Sequence, residues 1–475
     1  MNEAKVILIN DKEDDLGDKK LLRKLDWHLI PTMTLLYLLS FLDRVNIGQA
    51  KLDGLTVSLK LSSNQYNTCL SVFFILYVVL EIPSNLILKR LRPSRWIPMI
   101  MVAWGIVMTL MGLVNSYAGL LICRLFLGAA ESGLFPGVNF YLSSWYKRRE
   151  LSWRISIFFS AAALAGAFGG VLAYGITKMG GVGGQEGWRW IFYLEGIATV
   201  VVGAIAFFFI NDFPSDRPKF LTECEYNRVM TRLQTDAGAG ASEHFSWKQV
   251  LAALSTWKVY AWSLCYVSIL VPFYSLSFFS PTIIQNLGFI TYQAQLLSAP
   301  PYVLAFLTTM ITAYVSDKYA HRISSCGLVA GGLSPCIATC IAFISGNVSP
   351  HTKRATALAF MISVGNIGGV ISGQLYRTQD APRFILGHTI NLGFCALGLV
   401  SVVILLFGLR AENKRRDRLY GTIKAPMVLP DTEVQSSNTF DVVSEEDRRR
   451  WGYEYMSEKE ILDLGDQHAA WRYIL

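Results

Sequence analysis

Long apolar runs separated by short polar, mostly basic connections set the pattern of this chain. A helix that crosses a bilayer needs roughly 20 mostly apolar residues, because backbone groups in lipid must find their hydrogen bonds within the helix itself. Eleven segments meet that requirement, near 28 to 47, 66 to 88, 96 to 114, 117 to 142, 155 to 177, 189 to 211, 257 to 285, 294 to 316, 325 to 346, 356 to 376 and 386 to 409. Glycine is frequent inside them, as close helix packing in a membrane favours. Between the sixth and seventh segments lies a polar stretch containing DFPSDRPKF. The predicted organisation is a cytoplasmic segment 1–26, a six-helix leading bundle 27–211, a central cytoplasmic loop 212–256, a trailing bundle of about five helices 257–409 and a cytoplasmic tail 410–475. In the tail, Ser457 and Glu460 have capping-box spacing, which predicts a short helix over Ser457 to Leu464.

Basic residues in the connections predict sidedness. Lys19, Lys20, Arg23 and Lys24 precede span one, Lys89, Arg90, Arg92 and Arg95 follow span two, Lys147, Arg148 and Arg149 follow span four, and Lys318 and Arg322 follow span eight. The odd connections, such as Asn115 and Ser116 or Gln285 and Asn286, carry no such cluster. Both the amino terminus and the central loop are therefore expected in the cytoplasm. Alternation then fails at span nine, which has Lys318 and Arg322 before it and His351, Lys353 and Arg354 after it. The leading bundle also covers 185 residues against 153 for the trailing one, a deficit of about one helix plus a turn. The reading favoured is that a twelve-span ancestor has lost one helix between Arg322 and Cys326. A re-entrant or interfacial segment is the alternative. Asn347-Val348-Ser349 is a glycosylation sequon, so sugar found there would place this end outside.

Composition agrees with the pattern: 52% of the 475 residues are hydrophobic and 16% charged, against about a quarter charged in soluble domains. The net charge of +8 is spread over short clusters, which suits a membrane surface and argues against nucleic acid as a partner. Eight cysteines form no CxxC pair, and seven fall in apolar stretches, so neither a disulfide framework nor a metal site is expected. No cofactor is expected. The first 26 residues are polar, and no cleavable signal peptide is read there. An enzyme of the multispan transferase kind needs convergent His, Asp or Cys groups at one membrane face, whereas the six histidines are scattered singly.

Charges inside the spans are the strongest clues to function, because each costs about 2.5 to 3.5 kcal/mol on insertion scales and rarely faces lipid. Glu81, Arg124, Glu131 and Glu195 stand out. Arg124, Gly128 and Glu131 recur at i, i+4 and i+7 and so share one face of span four, with roughly 10 Å between the two charges along the axis. Arg124 is a candidate anion or proton-relay partner and Glu131 a candidate proton carrier; an internal ion pair that only holds helices together is the alternative for both. Glu81 lies in EIPSN, where a contact from the helix end to a basic loop competes with function. Asp43 and Arg44 either neutralise each other at the outer end of span one or serve an anionic solute. In the trailing bundle Tyr266, Tyr274, Asn366 and His388 interrupt apolar walls. Tyr274 is preferred among them, since Pro272 and Pro281 bracket it and broken helices line transporter cavities.

Five ordered motifs go further: SFLDRVNIG in span one, EIPSN in span two, RLFLGAAESGLFPG followed by WYKRRE in span four, GWRWIFYLEG entering span six, and HTKRATALAFMISVGNIGG before and in the segment 356 to 376. Together they resemble the fungal anion:cation symporter branch of the major facilitator superfamily, whose members include allantoate, nicotinate, pantothenate and biotin carriers. The resemblance runs from about Leu25 to Arg418. RLFLGAAESG is similar to the fourth-helix motif whose arginine is linked to proton coupling, which favours a functional Arg124, and YVSDKYAHR resembles the cytoplasmic loop motif of the second half. Members have twelve helices, so the resemblance implies that their ninth is absent here. The fifth helix, ALAGAFGGVLAYG, lacks the glycine-proline pair associated with antiporters, which favours symport.

The resemblance implies an all-α polytopic membrane protein of major facilitator fold, two bundles rocking about a central site, with about eleven transmembrane helices instead of twelve. The function expected is proton-coupled symport of small organic anions at the plasma membrane by a monomer, with the lipid bilayer, protons and the solute as partners. Arg124, Glu131, Asp43, Arg44, Glu81, Tyr274 and Asn366 are the candidate substrate and proton-coupling residues. Export of a fungal metabolite or drug by the same fold, and a remnant that does not transport, are the alternatives.

Overall fold

The computed structural model describes residues 2–237, 247–319, 332–349 and 351–420, together with Arg449, Trp451, Tyr453, Tyr455, Asp466 and Tyr473. Among the described residues the regular structure is helical throughout. Ten helices are long and apolar enough to cross a bilayer: Gly17–Leu52, Ser63–Asn85, Pro93–Met111, Tyr117–Ser143, Trp153–Thr177, Gly187–Phe209, Trp257–Asn286, Thr291–Tyr314, Lys353–Ser372 and Ile385–Leu419. A shorter apolar helix, Leu333–Asn347, occupies the place of span nine. The numbering of spans one to eleven is therefore kept. The junction from Arg322 to Cys326 and the tail helix Ser457 to Leu464 lie outside the described residues.

Local sequence sets where these helices start and stop. Span two opens with a capping box, in which Ser62 Oγ accepts from the Gln65 amide and the Gln65 side chain accepts from the Ser62 amide. Spans two and three are separated by a single residue, Arg92, in a left-handed conformation at φ 70°, with Pro93 at the first position of the next helix. Ser116 caps span four by accepting from the Gly119 amide. That span breaks at Ser132 and Gly133 before resuming at Leu134–Ser143.

In the leading bundle span three packs on span six, span one on spans five and six, and span two on span four. The approach of spans two and four is close enough to demand glycine: a Cβ on Gly128 would overlap the Phe73 carbonyl oxygen. In the trailing bundle span seven packs on spans ten and eleven, and span eight on span nine. Span five meets spans eight and nine, span two meets span ten, and span one meets span seven, and these seams join the halves. Large apolar side chains such as Phe168, Val201, Ile311, Leu399 and Phe407 point outward, as on a surface whose solvent is hydrocarbon.

The central stretch clamps to one end of the leading bundle through ions. Its helix Glu223–Ala237 places Glu225 on Lys24 at 2.7 Å and Arg228 and Arg232 on Asp18 at 2.5 and 2.9 Å, while Arg232 also reaches Glu150. Arg92 lies 3.8 Å from Asp212 and 3.6 Å from Asp216. The helix of span eleven continues past Arg410 to Tyr420. Two tail residues dock on its side of the trailing bundle: Asp466 pairs with Lys353 at 2.6 Å, and the Tyr473 ring lies 3.6 Å from Lys258 Nζ.

Candidate functional site

Span one brings Ser40 and Arg44 to one face, four residues apart, and that face meets span four at Glu131. Arg44 Nη2 donates to Glu131 Oε1 at 2.5 Å, and Ser40 Oγ donates to the same oxygen. Arg44 Nη1 donates across the seam to Tyr274 Oη of span seven at 3.1 Å. Tyr274 Oη in turn donates to Asn366 Oδ1 of span ten at 3.1 Å. The Asn366 amide and the Ser363 hydroxyl donate back to Glu81 Oε2 of span two, at 3.4 and 3.2 Å. One continuous polar chain thus runs from the leading bundle into the trailing bundle and returns.

Aromatic rings enclose it. The Arg44 guanidinium carbon lies 5.2, 5.0 and 6.0 Å from the ring centres of Phe73, Tyr77 and Tyr274, distances at which the ring quadrupoles attract a cation. Tyr37, Arg44, Tyr77, Tyr266, Tyr274 and Asn366 line a cavity of about 10 Å³ between the bundles, room for about one water. The centre is therefore closed. A larger groove of about 410 Å³ lies on the outside of spans one and five among Leu38, Leu42, Phe168 and Leu172; its wholly apolar lining suits acyl chains and offers no chemistry.

A second polar cluster lies within the leading bundle. Asp43 Oδ2 accepts from Trp104 Nε1 of span three at 3.1 Å and from Thr199 Oγ1 of span six at 2.9 Å. Asn46 Nδ2 donates to Glu195 Oε2 at 2.5 Å. Arg124 is 1% exposed, and its Nε and Nη2 have no hydrogen-bond partner.

Arg124, Gly128 and Glu131 are buried together on one helix face, as their spacing implies. Glu131 takes Arg44 as its ion-pair partner, so span four carries no internal Arg124–Glu131 hydrogen bond. Asp43 and Arg44 do not neutralise each other: adjacent residues on a helix diverge by about 100°, and each finds its own partners. Glu81 faces span ten instead of a basic loop. Tyr274 and Asn366 join the chain, Tyr266 lines the cavity, and His388 lies apart, with Nδ1 3.1 Å from Tyr376 Oη. Ser40, Ser363, Asn46, Thr199 and Trp104 were not foreseen. For three of them the signal was helical spacing from an ionic residue, Ser40 to Arg44, Asn46 to Asp43 and Thr199 to Glu195; Ser363 and Trp104 had no such signal.

Outside the spans, Asp53 follows span one and sits beside Glu186 at the start of span six. Burial first, and then the Glu186 charge, raise the Asp53 carboxyl to about 6. Glu186 is held low by the hydroxyl of Ser58 and the indole of Trp188.

Two helical bundles with ionic and aromatic groups sealed at their seam make the architecture of a membrane carrier. Residues 33–388 match the model of the Major Facilitator Superfamily, and the chain belongs to that family. It is 36% identical over 441 aligned positions to the MFS-type transporter cnsO of Penicillium expansum, covering 84% of this chain and 85% of that one. It is 31% identical over 428 positions to the high-affinity nicotinic acid transporter of Saccharomyces cerevisiae, covering 84% and 79%. A proton:xylose symporter shares the fold, with a TM-score of 0.58 at 13% identity over 80% of this chain and 95% of that one. Of the 441 positions aligned with cnsO, 84% of 475 residues supplies about 400, so about 40 positions have no residue in this chain.

Proposed function

We propose that this chain is a proton-coupled symporter of small organic anions, carboxylate or vitamin-like solutes, acting as a monomer at the plasma membrane within the fungal anion:cation symporter branch. The observation that carries the reading is Arg44, a guanidinium at the seam of two bundles that donates to Glu131 on one side and to Tyr274 on the other. A solute carboxylate entering between bundles 27–211 and 257–409 takes the place of one of those acceptors, and the rings of Tyr77, Phe73 and Tyr274 suit a flat solute. The nicotinic acid transporter among the relatives adds support, since nicotinic acid is an aromatic carboxylic acid.

Energetics favour a proton as the companion. Bringing a monovalent anion into a negative interior costs about 2.3 kcal/mol per 100 mV, and one proton cancels that term. Glu131 or Asp43, the carboxylates next to the site, takes it, and Arg124, whose Nε and Nη2 lie unpartnered in the same bundle, sets their charge balance. Glu81 holds Asn366 and Ser363 while the seam is closed and releases them when it opens.

On this reading the trailing bundle has lost the counterpart of span three. Its shortfall in length, the basic residues at both ends of span nine and the unmatched positions in the alignment with cnsO all fit loss of a ninth helix between Arg322 and Cys326. Sequencing the transcript across codons 322 to 327 tests that loss directly.

Uptake of labelled nicotinate, pantothenate, allantoate and biotin by cells that express the chain tests the function. One of the four is expected to accumulate, and a protonophore to abolish accumulation; a protonophore that raises the internal level indicates export. Arg124→Ala is expected to abolish transport, and full activity in that variant removes Arg124 from the site. A version with the ninth helix restored that transports where this chain does not identifies the chain as a remnant.

A further inference from the structure

Asp43 and Asn46 are three residues apart on span one, and Glu195 and Thr199 are four apart on span six, so their contacts form two rungs about one helical turn apart. On the upper rung Asp43 Oδ2 accepts from both Trp104 and Thr199, while Asp43 Oδ1 is buried without a partner. On the lower rung the acid faces an amide that can also accept. Asn46 donates from Nδ2 to Glu195 Oε2 at 2.5 Å, while Glu195 Oε1 and Asn46 Oδ1 are buried with no hydrogen-bond partner. Both are acceptors as long as Glu195 is ionised. One proton on Glu195 Oε1 turns that oxygen into a donor to Asn46 Oδ1, and the acid and the amide then share two hydrogen bonds in a ring.

Charge balance points the same way. Asp43, Glu81, Glu131 and Glu195 are buried around Arg44 and Arg124, four carboxylates against two guanidinium groups. Glu131 pairs with Arg44, and Arg124 lies within electrostatic reach of Asp43 and Glu131. Among the described residues no cation pairs with Glu195. Span three offers only Arg95 at its far end, span five offers Arg154, which Asp26 holds at 2.6 Å, and Glu186 lies about 13 Å away along the axis of span six. A proton on Glu195 reduces that excess of negative charge by one.

We infer that Glu195 is a proton-binding site, occupied in this closed conformation, with the proton on Oε1 and donated to Asn46 Oδ1. The proton is taken from water and returned to water, and only an O–H bond forms and breaks. Asn46 is two residues from Arg44 and about 200° around the helix, so the proton and a solute at Arg44 do not compete for space. The transport role of this proton rests on the symport reading above and makes Glu195, beside Glu131 or Asp43, a carrier of the coupling proton; the acid–amide pair does not rest on that reading.

Infrared difference spectra of the purified full-length chain, wild type minus Glu195→Gln, test the pair. The carbonyl stretch of a protonated carboxylic acid is expected in wild type, lost in Glu195→Gln, retained in Glu131→Gln and displaced in frequency in Asn46→Ala. Glutamine matches the shape and donor pattern of the acid, so the variant is expected to fold. Absence of such a band in wild type at neutral pH, or its survival in Glu195→Gln, overturns the inference. In proteoliposomes loaded with a pH gradient and labelled nicotinate, Glu195→Gln is expected to lose at least tenfold in gradient-driven accumulation. Undiminished accumulation makes the proton structural and overturns its role in transport. A wild type that ignores the gradient contradicts symport, and the band alone then decides the site.

Discussion

Replacing Arg44 strikes the seam at one atom group, since the same guanidinium donates to both bundles. Arg44→Lys keeps the charge but offers a point ammonium in place of a planar fork, and uptake per surface-expressed molecule is expected to fall at least about tenfold. Arg44→Ala strands the Glu131 carboxylate, and breaking a buried pair in this way costs about 3–5 kcal/mol. Arg44→Ala with Glu131→Gln is therefore expected to regain thermal stability in detergent without regaining transport. Asp53 gives a pH signature. Its carboxyl is raised to about 6 in the fold, so the folded state binds more protons than the unfolded chain between about pH 4 and 6 and stability falls as pH rises through that window. Asp53→Asn is expected to flatten the fall, read as the melting temperature against pH. Arg44 and Glu131 were legible in the sequence, because a charge in an oily run is conspicuous, whereas Asp53, just past the end of span one, was not singled out. The pairing of Arg44 with Glu131 was not legible, because the two lie 87 residues apart and spacing along one helix says nothing about which helix it faces.

The helices themselves were more open to reading. Ten of the eleven apolar segments are span-length helices, since a run of about 20 oily residues admits few other structures. Their ends moved where polar residues prolong the helix beyond the oily run, as in span one, which begins far upstream of residue 28, and in span eleven, which continues through Glu412 and Arg416. Hydropathy cannot register such extensions. Close packing gives a sharp test at this scale. Gly128→Val forces a side chain onto the Phe73 carbonyl, whereas a Cβ at Gly175 meets nothing within 4 Å. Gly128→Val is expected to lose the monodisperse peak in size-exclusion chromatography, and Gly175→Ala to keep it.

At the scale of the whole molecule, the central cavity holds about one water, so a solute of vitamin size enters only if the bundles part. Parting breaks the Arg44–Tyr274 and Glu81–Asn366 contacts together, because each joins one bundle to the other. That linkage makes opening a two-state event whose balance a bound anion and a bound proton both shift. Fluorescence of a pH indicator sealed inside proteoliposomes measures it. On addition of the transported carboxylate outside, with no pH gradient imposed, the account predicts that the lumen acidifies with the wild-type chain and stays unchanged with Arg44→Ala. Solute entry with no change of lumenal pH, or with alkalinisation, would contradict it.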